Sequence, residues 1–172
     1  MNQRKRYTVQ EMNEYVTNKL EERGVRLTDI AVIVYMLEQP YTPDIKVKDC
    51  IEHVKGVLEK REVLHAVLTG IALDEFAEKE LLPEPLQSLV ETDDELFGID
   101  EILPLSIINM YGCSGLTTFG NLVKEKVGVI MKLDSMGEGK TNTFLKDLIA
   151  GIAAVTASKL AHIRKDMEEQ AI

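Results

Sequence analysis

The sequence predicts an all-α fold: a single-domain bundle in which helices surround one apolar helix at about residues 143–164. Three observations point there. First, the chain from Thr141 to Arg164 reads TNTFLKDLIAGIAAVTASKLAHIR. Its Leu148, Ile149, Ile152, Val155, Leu160 and Ile163 cover most of a helical circumference, with small residues such as Gly151 and Ala154 between them. A helix apolar nearly all round is one that other helices enclose, and Ile149–Ala161 should be its least exposed part. Second, the ends of this stretch suit a helix. Thr141, Asn142 and Thr143 are N-cap residue types, while Lys159, Arg164 and Lys165 lie toward the negative end of the dipole. Third, apolar residues elsewhere recur at helical spacing, and no regular alternation of strands with helices appears.

The 172 residues suffice for one domain with a sizeable core, and neither a repeat nor a linker divides 1–172. The net charge of −9 disfavours nucleic acid as a partner, since no basic field is present to replace counterions. The basic run Arg4-Lys5-Arg6 is too short to change that. Cys50 and Cys113 show no framework spacing, which fits a reducing cytoplasm. The polar N-terminus lacks the apolar core of a signal peptide. No segment approaches the ~20 apolar residues of a membrane span. A cytoplasmic protein with at most peripheral membrane contact is expected, and homo-oligomerisation stays open.

In chain order, Thr8-Val-Gln-Glu11 reads as a capping box opening a helix to about Glu22, with Met12, Tyr15, Val16 and Leu20 inward and Gly24 as its stop. Thr28 caps a second helix, Asp29 to Glu38. A third runs from about Lys46 to Glu59, and a fourth from Glu62 to Leu82 through Val63, Val67, Ile71 and Phe76. Pro85 to Val90 is a short helix before an acidic loop, Glu91 to Asp94. Asp100 caps the next helix, with Pro104 in its first turn and Met110 near its end. Thr117 to Leu133 forms one helix or two, and the loop Asp134 to Lys140 leads into the central helix.

Several stretches invite a chemical reading. Val127 to Thr141 ends in Gly139-Lys140-Thr141 like a P-loop, but the required first glycine position holds Asp134, so a flexible polar loop is preferred. Glu62-Val-Leu-His65 is half of a di-iron signature without its second copy. Leu73-Asp74-Glu75-Phe76 sets two acids in an apolar helix face. Asp74 is expected to be partly buried, and a buried carboxylate needs a partner or a metal. Asp134 and Asp147 also border apolar segments. Oxygen-only clusters suit a hard cation such as Mg²⁺; caps and surface charges are the alternative.

The order of these motifs resembles the phosphatidylglycerophosphatase A family. The matching stretches are Leu73-Asp74-Glu75-Phe76, Phe119 to Ile130, Leu133-Asp134 and Lys146-Asp147-Leu148-Ile149-Ala150-Gly151. The resemblance implies a helical bundle around one central helix, as in the family's soluble Gram-positive branch. It also implies Mg²⁺-dependent hydrolysis of a phosphomonoester, phosphatidylglycerophosphate in the family. Carried over, Asp74, Asp134 and Asp147 would hold metal, Asp74, Glu75 and Asp134 would serve catalysis, and Lys126 and Lys146 would hold phosphate. Asp74 and Asp147 would then share one cleft. Val123 and Lys146 stand where the family pattern has carboxylates, so Lys146 is expected to replace a cation. The partner would be a phosphorylated small molecule or lipid head group. The rival reading is a non-catalytic helical binding or regulatory module of the same descent.

Overall fold

A computed structural model describes residues 5–94, 97–109, 114–135, 137 and 139–170. Among the described residues every regular element is a helix. In order these are α1 (Val9–Glu22), α2 (Leu27–Glu38), α3 (Val47–Leu58), α4 (Arg61–Glu78), α5 (Leu86–Glu91), α6 (Ile99–Ile108), α7 (Ser114–Glu125), α8 (Val129–Asp134) and α9 (Thr143–Gln170). Cys113, Met110 and part of the loop before α9 lie outside the described residues.

Helix α9 is the axis. It packs against α2, α3, α4, α6, α7 and α8, and every residue from Thr143 to Ser158 is buried. The enclosed stretch therefore starts earlier than its apolar pattern suggests: Lys159 to Ala161 are only half-buried, while Thr141 and Asn142 ahead of the helix are already covered. Polar residues at this entry are enclosed because their hydrogen bonds are met inside the protein, which composition does not reveal.

Local signals explain most boundaries. The Thr8 hydroxyl accepts from the Glu11 N–H at 3.1 Å, and the Glu11 carboxylate accepts from the Thr8 N–H at 2.8 Å, closing the expected capping box. Helix α1 ends in a Schellman turn, with Gly24 at φ +79° and the Val25 N–H donating to the Leu20 carbonyl at 2.8 Å. Helix α4 stops at Glu78, short of the prolines, because Glu80 takes the same left-handed position and Leu81 donates back to the Phe76 carbonyl at 2.9 Å. Glutamate there carries no stop signal in sequence.

Three further details depart from expectation. Tyr15 and Phe76 are exposed rather than inward. Helix α6 starts at Ile99 after Gly98, which puts Asp100 inside the helix rather than at its cap and moves Pro104 beyond the first turn. Residues Val129–Asp134 are helical, and a P-loop would need a strand there. No helix among the described residues is long and apolar enough to cross a membrane.

Pro104 on α6 lies directly over Gly151 on α9. A Cβ built on Gly151 would lie 2.9 Å from the Pro104 Cβ and 3.4 Å from its Cα. Backbone cannot yield as a side-chain tip does. Gly151→Ala should therefore lower stability by about 1–3 kcal/mol despite alanine's better helix propensity. Urea unfolding checks this, and an unchanged midpoint would show that α6 can move away.

Candidate functional site

Helix α9 begins inside the protein, so its free N–H groups need internal partners. Asp74, fully buried on α4, supplies two. Its Oδ1 accepts from the Phe144 N–H at 3.0 Å and its Oδ2 from the Leu145 N–H at 2.9 Å. A carboxylate also suits the positive end of the helix dipole. Burial nevertheless pushes the Asp74 pKa up to about 7 against the pull of those two N–H bonds.

Other buried groups fix the residues just ahead. Arg23 donates to the Thr141 carbonyl, donates to the Asn142 Oδ1 at 2.7 Å, and pairs with Glu78 at 2.9 Å. Glu78 also accepts the Thr141 N–H at 3.0 Å. The Asn142 amide donates to the Leu133 carbonyl at 3.2 Å, and the Thr143 hydroxyl to the Val90 carbonyl at 2.6 Å. These bonds tie the start of α9 to α1, α4, α5 and α8 at once.

Lys146 and Asp147 follow one turn further on and line a pocket of about 510 Å³. Asp93 and Asp94, after α5, form one part of its wall, and Asp100 and Glu101 of α6 another. Lys126, Val123 and Ile130 complete it. Within it the Lys146 ammonium donates to Asp93 and, at 3.3 Å, to Asp134. Lys126 donates to both oxygens of Asp134 at 2.8 Å. The four residues make a continuous chain of alternating charge.

The electrostatics sort the acids into two kinds. Burial first, and then the carboxylates of Asp100, Asp93 and Glu101, push Asp147 up to about 7, against the Lys146 charge. Burial likewise raises Asp100. Partial burial opposes ionisation of Asp134, but the bond from Lys126 and the charge of Lys146 outweigh it and hold this carboxyl below the ordinary range. Burial works against the Lys146 charge too, but the bond to Asp93 together with the negative charges of Asp93, Asp147 and Asp134 outweighs it and raises the ammonium above its ordinary range.

The sequence candidates therefore separate. Asp147, Lys126 and Lys146 line the pocket, with Asp134 bonded to both lysines. At Asp74 the structure differs from expectation: both oxygens are taken by the α9 backbone, and Asp74 is not among the residues lining the pocket with Asp147. Glu75 pairs with Lys19 at 3.0 Å between α4 and α1 and does not line the pocket either. Four lining acids, Asp93, Asp94, Asp100 and Glu101, were legible only as an acidic loop and a helix start. The signal available was their clustering on either side of Gly98.

A family model described as Phosphatidylglycerophosphatase A matches residues 25–162. The chain belongs to that family. It is 52% identical over 166 residues to the uncharacterized protein YpjQ of Bacillus subtilis (strain 168), covering 96% of this chain and 93% of that protein. It is 44% identical to the uncharacterized protein YutG of the same organism over 150 residues, covering 87% and 90%. Among solved structures, the crystal structure of YpjQ superposes with a TM-score of 0.90 at 53% identity, covering 94% of this chain and 99% of that one. The low temperature requirement C protein from Listeria monocytogenes does so with a TM-score of 0.87 at 45% identity, covering 90% and 97%.

The raised Asp147 pKa has a consequence for stability. A carboxyl that binds its proton more tightly when folded stabilises the fold at low pH, and that contribution is lost as pH rises from about 4 to about 7. Asp147→Asn removes this loss. The variant should exceed the parent by roughly 1–3 kcal/mol at pH 8 and match it near pH 4. Thermal unfolding across that range checks this; a variant less stable than the parent at pH 8 would show that the ionised carboxylate is well compensated.

Proposed function

We propose that this chain is a phosphoric monoester hydrolase acting with Mg²⁺ at the pocket lined by Asp147. The observation that carries the reading is the charge of the wall: five acids, Asp93, Asp94, Asp100, Glu101 and Asp147, against two lysines, Lys126 and Lys146. A phosphomonoester brings close to two negative charges at neutral pH. Such a group enters an acid-rich pocket only together with a compensating cation. The donors are all oxygen, as a hard cation prefers. Among the described residues no three acids are placed to hold a metal by themselves. Mg²⁺ is commonly bound through one or two carboxylates together with the substrate phosphate, so in this reading the phosphate would complete its shell.

In this reading Asp147 and Glu101 would hold the cation. The ion would neutralise charge developing on the phosphoryl oxygens. Lys126 and Lys146 orient the phosphate, and Asp134 keeps their two ammonium groups together. Asp100, whose pKa burial raises, takes the proton from the attacking water. The water oxygen bonds to phosphorus while the phosphorus–oxygen bond to the alcohol breaks, and the departing alkoxide is protonated from solvent. Asp134, held ionised by two lysines, is a weak base, so the role moves to Asp100. Asp74 becomes a positioning residue that anchors the helix carrying Lys146 and Asp147.

One observation favours the non-catalytic alternative. The Lys146 ammonium already occupies the pocket, paired to Asp93 and Asp134. The two readings part in a phosphatase assay with and without Mg²⁺, on a chromogenic phosphomonoester and on phosphatidylglycerophosphate in micelles. The enzyme reading expects Mg²⁺-dependent release of phosphate, lost in Asp147→Asn. It also expects Mg²⁺ to raise the melting temperature of the parent and not of that variant. Hydrolysis of neither substrate, with no Mg²⁺ stabilisation, would leave the binding module. Mg²⁺ stabilisation that survives Asp147→Asn and vanishes in Asp74→Asn would place the cation at the start of α9.

A further inference from the structure

Asp93 reaches into the pocket from an unusual backbone. Among the described residues only Glu80, Asp93 and Lys126 combine a positive φ with a side chain, at +55°, +52° and +48°. Two of the three belong to the ion-pair chain at the pocket. Asp93 stands where glycine or asparagine is usual after a helix. The Asp93 N–H donates to the Val90 carbonyl at 3.4 Å and the Asp94 N–H to the Leu89 carbonyl at 3.2 Å, a Schellman turn closing α5. Helix α1 closes the same turn with Gly24. Aspartate tolerates this backbone but gains nothing there over glycine or asparagine, so helix closure alone does not explain the carboxylate.

What the carboxylate does is grip Lys146. The two partners differ in exposure. Lys146 projects from the enclosed first turns of α9 and its side chain is 11% exposed; the Asp93 side chain is 37% exposed on a turn after a six-residue helix. Asp93 is thus the partner that can leave. A phosphate oxygen seeking Lys146 needs the place that the Asp93 oxygen now fills, and the two negative groups repel each other.

We propose that Asp93 is an internal competitor of phosphate at Lys146, so that the pocket takes up a phosphate group by exchanging it for this carboxylate. The inference rests on the reading of the pocket as a phosphate site but not on hydrolysis. It makes Asp93 a determinant of affinity: a dianion that replaces both its bond and its charge displaces it more readily than a monoanion does.

The experiment is calorimetric titration of inorganic phosphate, at fixed ionic strength and pH 8, with Mg²⁺ and again with chelator. Asp93→Asn keeps a residue that tolerates the left-handed backbone, so the fold should survive; Asp93→Gly provides a second variant with the backbone preference of Gly24. Both should bind phosphate roughly three- to fivefold more tightly than the parent, the size of losing one partly exposed ion pair. In the titration with chelator, where no cation needs Glu101, Glu101→Gln removes a charge from the same wall without freeing Lys146, and should tighten phosphate less. Equal tightening in Glu101→Gln would reduce the effect to the general field and overturn the proposal. Unchanged or weaker binding in both Asp93 variants would overturn it too, and would make Asp93 a support for Lys146. If the parent hydrolyses a phosphomonoester while the Asp93 variants bind phosphate no better, only this inference fails. If the variants tighten phosphate in a protein without phosphatase activity, only the catalytic reading fails.

Discussion

The structure depends on one arrangement: a helix that begins in the interior and has its first N–H groups satisfied by a carboxylate from another helix. Thr143 to Ser158 are buried without interruption, so the first N–H groups of α9 have little access to water. An unpaired buried N–H costs about 1–3 kcal/mol, and four such groups would cancel most of a domain's net stability. Asp74 meets two of them. Arg23, Glu78 and Asn142 hold the approach to the helix by the same means. The bundle can therefore bury both the flank and the end of its axis.

That solution fixes the site as a by-product. Once the N–H groups of Phe144 and Leu145 are held, Lys146 and Asp147 come next on the helix and have little freedom of direction. Each meets a wall built by other elements: the turn after α5, the start of α6, and the junction of α7 with α8. Asp74 thus acts on the chemistry through geometry. Its raised pKa reflects burial, against the pull of the two backbone N–H bonds.

The fold was legible because its main signal is local. A 3.6-residue period and a run of small residues are properties of contiguous sequence, and they identified α9 and most of its neighbours. Helix ends were harder where a left-handed cap is not glycine: Gly24 announced its turn, whereas Glu80 did not. The site was half legible. Asp147 and the two lysines follow from the motif order, but the pairing of Lys146 with Asp93, 53 residues away in sequence, comes only from tertiary packing. The partners of Asp74 were not legible for a physical reason. A buried acid must find partners, and sequence does not reveal whether those partners are a cation or the end of a helix.

The positive-φ residues show where backbone preference and side-chain chemistry conflict. A side chain in the left-handed region costs on the order of 1 kcal/mol relative to glycine, and lysine lacks the local hydrogen bonding that eases it for asparagine or aspartate. Lys126 lies at φ +48° at the turn from α7 to α8, two residues before Gly128 at φ +60°. The same turn made with glycine at 126 would relieve the backbone and remove the ammonium that holds both oxygens of Asp134. Asp93 poses the same choice after α5. Neither helix end needs the charge, yet both charges belong to one chain of ion pairs around one pocket. Strain of this kind persists where surrounding structure enforces it and tends to collect at working sites. Here it marks the wall of the pocket that the acid cluster marks independently, and among the polar residues there Lys126 is the one whose side chain the backbone least favours, with Asp93 the milder case.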